Sequence, residues 1–353
     1  MDIEEKRKLW SLFKNVENKE EIFNRKQKTK NSDVLIVDFL NCVIRCFAAN
    51  PQLDTNGEHV GAIVGTLKSI GYAIRQINPT RCILVCDGSG GSARRRKIFP
   101  AYKAKRKTRI KLNRSYIDTV TVDSEEKNLL NQVYKLVKYF DNLPVTVASV
   151  DGIEADDTIA YLSQVVFRDS ESVTIMSTDK DFYQIVTDKI KVWSPTKKRI
   201  YGPNEILNEY GISAKNFIYY RILDGDVSDN ISGVKGAGLA TIKKCFPFLS
   251  EDAQTNLEEI IKHAVSNKNK YKIYQTLLDS STIVDRNYKL MQLNTSIIPS
   301  YLEIVIRDIS EKQIPKINKT EFLKLLINDS LQDSIPNPHV WLAETFTILN
   351  SFV

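Results

Sequence analysis

Histidine and cysteine are scarce, three and five in 353 residues, and no two cysteines stand at Cys-x-x-Cys spacing. That argues against a structural zinc site, which needs four soft or imidazole ligands closely spaced. An odd cysteine count, with Cys42 and Cys46 four apart and Cys82 and Cys86 four apart, fits core thiols in a reducing compartment. Neither residue type is placed as a nucleophile, so a covalent intermediate is not expected. No apolar run approaches the roughly 18 residues of a membrane span. The charged N-terminus carries no secretory signal, and a cytoplasmic protein is expected. The most informative absence is of acid: from Arg94 to Arg114 there is none, against eleven Lys or Arg. Without those eleven, the net charge of +7 turns negative. One intensely basic segment on a mildly acidic chain suggests a polyanionic partner held at one place.

What is present is an ordinary globular composition, 42% hydrophobic and 26% charged. Residues 1–31 form a charged N-terminal extension with apolar positions Leu9, Trp10, Leu12, Phe13 and Val16 at amphipathic spacing. Short β-rich runs follow: "VLIV" ending at Asp38, "CILVC" ending at Asp87, and "VTIMST" ending at Asp179. "PVTVAS" (144–149) and "KIKVWS" (189–194) are further strands. Helical stretches at 60–77, 124–140 and 155–167 separate them. Strands alternating with helices predict an α/β fold with a mostly parallel central sheet flanked by helices. The α/β core is expected over 32–205, with the basic segment 94–122 inside it. A helical region follows over 206–290, then a C-terminal helical region over 291–353.

In open α/β sheets, sites form beyond the carboxyl ends of the strands. Aspartates at three strand ends would therefore meet at one edge. "GIEADDTIA" (152–160) adds Glu154, Asp156 and Asp157 just ahead of a helix, and "LDGDVSDN" adds Asp226 and Asp229. With Asp181 there are nine candidates. So many converging carboxylates could not all stay ionised without cations, because close like charges raise pKa values. All-oxygen ligation selects Mg²⁺ or Mn²⁺, and two such ions form a clamp for phosphodiester cleavage. Helix capping is the plain alternative, strongest for Asp181 and Asp229.

Two further segments fit a nucleic acid. In "ARRRKIFPAYKAKRKTRIKLNR" the cations can neutralise phosphates, and Phe99 or Tyr102 can stack on an unpaired base. In "GVKGAGLATIKK", Gly233, Gly236 and Gly238 precede a helix whose first N–H groups can bind a phosphate, with Lys235, Lys243 and Lys244 nearby. Contacts of this kind read backbone, which predicts selectivity for structure rather than base sequence.

"LIVDFLN", "CILVCDG", "ARRRKIFPAYKAKR", "GIEADDTIA", "STDKDFYQIV" and "LDGDVSDNISGVKGAG" together resemble the flap-endonuclease (FEN) superfamily of structure-specific 5′-nucleases. The likeness is to its bacteriophage and bacterial-polymerase form, in family order over about residues 33–245. It implies a PIN-like nuclease core, a basic helical arch and a helix–hairpin–helix over 231–247. Asp38, Asp87, Glu154 and Asp156 would surround one Mg²⁺, and Asp179, Asp181, Asp226 and Asp229 a second, with Mn²⁺ able to substitute. Asp156 or Asp157 would lie between the ions. Arg95 and Lys103 would touch the scissile phosphate, Tyr102 would stack on the terminal nucleotide, and Arg94, Arg96, Lys105 and Arg106 would contact nucleic acid. A K⁺ ion is expected at the hairpin. The implied substrates are 5′ flaps, nicked or gapped duplex DNA, and RNA–DNA hybrids. The implied activities are 5′→3′ exonuclease, flap endonuclease and RNase H, acting in RNA-primer removal during replication. A monomer is implied, in the host cytoplasm if phage-encoded, with a single-strand-binding protein or sliding clamp as partner of the C-terminal region. Two alternatives share some of these features: a PIN-type endoribonuclease, which would be shorter and lack the glycine hairpin, and a non-catalytic DNA-structure-binding protein.

Overall fold

A computed structural model describes residues 28–104 and 122–353. Strand β1 (Asp33–Asp38) is followed by α1 (Phe39–Ala49), α2 (Gly61–Ile77), β2 (Arg81–Asp87), the short α3 (Ala93–Ile98) and α4 (Val122–Phe140). Next come β3 (Thr146–Val150), α5 (Ala155–Tyr161), β4 (Ser172–Met176), β5 (Ile190–Ser194) and β6 (Arg199–Tyr201). The sheet order is β3-β2-β1-β4-β5-β6, parallel except for the β5–β6 hairpin. Val34 to Val37 of the central strand are wholly buried, as continuous apolar runs in a parallel sheet should be. Arg199–Tyr201, within the turn-rich stretch "SPTKKRIYGPNE" (194–205), forms the antiparallel edge strand β6. The helix expected to 167 is regular only to Tyr161, and its last turn, Leu162–Val166, is widened to π type.

The helical part comprises α6 (Pro203–Tyr210), α7 (Phe217–Asp224), a two-residue ribbon of β7 (Gly225–Asp226) and β8 (Ile231–Ser232), then α8 (Leu239–Cys245). After it come α9 (Leu257–Ser266), α10 (Lys272–Asp279), α11 (Ser281–Met291), α12 (Ser300–Glu311), α13 (Lys319–Asn328) and α14 (Pro338–Asn350). One core cluster runs from the sheet face of Val34 and Ile83 without a break into Phe217, Ile242 and Ile306. The other face, with Leu35, Val37 and Leu84, is covered by α1, α2 and α4 together with Phe322, Leu342 and Phe346 of the last two helices. Arg81, itself wholly buried, joins the far edge: its guanidinium donates to the carbonyls of Ile309, Ser310 and Lys312, capping α12.

Candidate active site

The parallel register sets the site. Asp38 ends β1 and Asp87 ends β2 beside it, while Asp179 follows β4 on the other side of β1. These three acids therefore reach the same sheet edge, and α5 begins there with Asp156 and Asp157 in its first turn. Helix capping falls on the strand-end acids rather than on Asp181: Asp38 accepts from Asn41 N at 3.3 Å, Asp179 accepts from Asp181 N at 2.8 Å to open a 3₁₀ turn, and the Asp181 carboxylate is paired with Arg221.

The acids are joined by a nearly continuous hydrogen-bond chain. Ser177 Oγ donates to Asp38 at 2.9 Å and accepts from Asp179 N at 3.0 Å. Arg221, on α7, bridges Asp181 at 2.6 Å through Nε and Asp226 at 2.7 Å through Nη2. The other oxygen of Asp226 accepts from Ser228 N at 2.6 Å, Ser228 Oγ at 2.6 Å and Asp229 N at 3.2 Å, folding that loop around one carboxylate. Asp229 O accepts from Lys103 N at 2.9 Å, and Lys103 Nζ reaches Glu154 at 2.5 Å. Arg95 then links Glu154 to Asp157, with its Nη1 on both and Nη2 on Asp157 at 2.9 Å. Asp87 joins through the Ala155 amide at 2.8 Å.

Electrostatics divides the acids into two kinds. Burial, then the charge of Asp181, pushes Asp179 up to about 8. Burial, with Asp87 adding to it, raises Asp38 to about 6, and Asp156 is raised by burial and by Asp179 and Asp38. Asp181 is also raised by burial, although Arg221 opposes it. For Glu154 burial acts upward too, but Arg95 and Lys103 overcome it and the group is lowered. Asp226 is lowered against burial chiefly by its Ser228 hydrogen bonds and by Arg221. Glu154, Asp157 and Asp226 are thus balanced by the protein's own donors. Asp38, Asp156 and Asp179 are crowded carboxylates short of positive charge.

That deficit fits hard divalent cations, and the all-oxygen donor set fits Mg²⁺ or Mn²⁺ better than a soft metal. The side chains gather without forming a finished cage: among the described residues no three His, Cys, Asp or Glu stand ready to hold one ion. This differs from the expectation of two complete ligand sets.

Two expected substrate contacts are placed inside. Arg95 is 3% exposed, with its guanidinium spent on Glu154, Asp157 and the Leu290 carbonyl, so it does not face a phosphate. Tyr102, also 3% exposed, donates to Glu154 at 3.2 Å and is not an open stacking surface. Arg96 is exposed, and half-exposed Arg94 lies 3.7 Å from Asp157. Lys105, Arg106, the basic segment over 105–121 and the extension over 1–27 lie outside the described residues. In the glycine hairpin, Gly236 has φ +89° with open space around it, and Gly238 precedes α8 with nothing nearby. Gly233 serves close packing instead: a Cβ there would lie 2.2 Å from the Asp224 carbonyl oxygen. Lys235, Lys243 and Lys244 are exposed. Arg221 was not anticipated, although a lone charge inside the apolar run "FIYYRIL" is a signal of a buried partner.

An acidic edge on a parallel α/β sheet, with Arg95 and Lys103 set against it, suits metal-dependent hydrolysis of a phosphodiester. Residues 33–211 match the family described as the 5′-3′ exonuclease, N-terminal resolvase-like domain, and the chain belongs to it. Two relatives are 5′-3′ exonucleases of Buchnera aphidicola. The one from the Acyrthosiphon pisum subspecies is 28% identical over 298 residues, covering 84% of this chain and 97% of the relative. The one from the Schizaphis graminum subspecies is 34% identical over 215 residues, covering 60% and 69%. Among solved structures, the bacteriophage T5 D15 flap endonuclease, in a complex with DNA and metal ions, shares the fold. Its TM-score is 0.58 at 22% identity, covering 85% of this chain and 100% of that one. No helix among the described residues is long and apolar enough to cross a membrane.

Proposed function

We propose that this nuclease cuts 5′ flaps and the 5′ strands of nicked or gapped duplexes, and degrades RNA in RNA–DNA hybrids, so removing primers during replication. It acts as a cytoplasmic monomer. The observation that carries the reading is the placement of Lys103, at the root of the basic segment, against the acidic edge. Asp38, Asp87, Asp156 and Asp179 would hold Mg²⁺ or Mn²⁺, two ions in all, with Asp181, Asp226 and Asp229 contributing negative charge beside them. Metal bound by these residues would supply an activated water and positive charge for the leaving oxygen. Arg95 fixes Glu154 and Asp157 as a rigid wall, and Arg221 does the same for Asp181 and Asp226. Lys103 exchanges Glu154 for the scissile phosphate and stabilises the charge that develops on it. Gly236, Gly238, Lys235, Lys243 and Lys244 grip one strand of duplex away from the cut, with K⁺ at the hairpin. Arg94, Arg96, Lys105 and Arg106 contact the strand entering the basic arch. A single-strand-binding protein or clamp would dock on the C-terminal region.

Cleavage of 5′-labelled flap, nicked and RNA–DNA substrates, with Mg²⁺ and with EDTA, tests this. The expected products carry 5′-phosphate and 3′-hydroxyl ends and form only with metal. Tight binding of all three substrates with no cleavage in Mg²⁺ would overturn it.

A further inference from the structure

We propose that Asn230 is a positioning residue for Lys103, clasping the root of the basic segment onto the loop that carries Asp226 and Asp229. The inference rests on the role of Lys103 given above and adds the residue on which that role depends.

Lys103 and Asn230 are non-glycine residues with left-handed backbones, φ +59° and +62°, and they lie at one contact. Asparagine adopts that region readily, whereas for lysine it carries a steric cost that the surroundings must offset. The offset is visible. Lys103 N donates to Asp229 O at 2.9 Å, and Asn230 Nδ2 donates to Ala101 O at 2.9 Å. Each segment thus donates one hydrogen bond to the other, across 129 positions of sequence. Asn230 is itself held by Val227 O at 3.3 Å, in the loop built around Asp226. Behind the clasp, Arg286 lies 4.4 Å over the ring of Phe99, so the approach to Ala101 is pinned as well.

The result is directional. A lysine at a turn would ordinarily extend into water, but here its side chain is 10% exposed and its ammonium meets Glu154. The left-handed turn aims it inward, and Asn230 keeps the turn in place. Because the same loop is folded by Asp226 and tied through Arg221 to Asp181, Lys103 takes its place only when the far acids are assembled. That couples the arch side of the site to the acids of the helical part.

Three variants and one double variant test it. Asn230→Gly keeps the left-handed backbone and loses the amide. Asn230→Asp keeps both size and backbone tolerance but sets a carboxylate oxygen against the Ala101 carbonyl. Lys103→Ala and Lys103→Ala/Asn230→Gly complete a cycle, read by single-turnover flap cleavage in Mg²⁺ and by duplex affinity in Ca²⁺. Both Asn230 variants should cut about ten- to a hundredfold more slowly, since small misplacements cost this much. Duplex affinity should stay within about twofold, and the double variant should be no slower than Lys103→Ala. Hydrogen exchange gives a readout free of chemistry: the Lys103 amide should lose protection in both Asn230 variants while β1 and β4 keep theirs. A Lys103 amide that stays protected would overturn the clasp itself. Losses that multiply in the double variant would overturn its action through Lys103. If Lys103→Ala alone cuts at the wild-type rate, the role of Lys103 is wrong and the inference falls with it.

Discussion

At the scale of single residues, Asp179 shows how charge and fold are coupled in this molecule. Its folded pKa is raised from 3.8 to about 8 by burial and by Asp181. The native state therefore holds a proton that the unfolded chain has released, across roughly pH 4 to 8. Stability from this group is complete below about pH 4 and is lost as pH rises towards 8. Asp38, raised to about 6, acts in the same direction over a narrower window. In EDTA the melting temperature should accordingly fall between pH 5 and 8, and Asp179→Asn should flatten that slope. Added Mn²⁺ should restore stability more at pH 8 than at pH 5, because protons compete for the same oxygens. A slope in EDTA identical for wild type and Asp179→Asn would remove Asp179 as its source. Arg221 is the opposite case. Removing one partner of a buried pair costs about 3–5 kcal/mol, because it strands the other charge. Arg221→Met strands Asp181 and Asp226, so urea denaturation in EDTA should show a loss of that order, partly recovered by Mn²⁺. A loss that is the same with and without the ion would show that Arg221 has no connection to the metal site.

At the scale of elements, the strands and their terminal aspartates were legible because two signals agree: near-continuous apolar runs for a doubly covered sheet, and acid where each run stops. The three-residue strand β6 was not, since "RIY" is too short to carry a period and pairs only because β5 lies beside it. The inward turn of Arg95 was also illegible. Arg94, Arg95 and Arg96 are alike in sequence, and the choice among them is made by Glu154 and the Leu290 carbonyl, from distant segments. The three glycines of the hairpin look alike in sequence, but Gly233 meets its own chain while Gly236 and Gly238 face open space. The cations beyond it give a prediction at this scale. Lys243 and Lys244 lie in the last turn of α8, Lys244 with its ammonium 4.6 Å from the Tyr271 ring centre. Each Lys→Ala change should weaken duplex binding and lower the slope of log affinity against log salt by about one. An unchanged slope in both would remove α8 from the DNA-binding surface.

At the scale of the whole molecule, the helical region expected over 291–353 shares its core with the sheet. Phe322, Leu342 and Phe346 are wholly buried in the cluster that also holds Leu35, Val37 and Leu84 of the sheet. The C-terminal helices are a wall of the nuclease core, and α14 packs directly on Gly71. A Cβ there would lie 2.8 Å from Cζ2 of Trp341 and 3.4 Å from a Thr345 methyl. Two effects of known size compete in Gly71→Ala. Alanine in a helix interior gains about 1 kcal/mol over glycine, whereas overpacking a full core costs about 1–3 kcal/mol. Trp341 is held by Phe322 at 5.9 Å and Phe346 at 5.4 Å between ring centres, so it has little room to retreat. Overpacking should win, and the variant should melt at a lower temperature than wild type. Tryptophan fluorescence and far-ultraviolet circular dichroism should report one coincident transition, because wall and sheet unfold together. A higher melting temperature would mean that α14 yields easily. Two separated transitions would mean that the C-terminal helices are an independent unit after all.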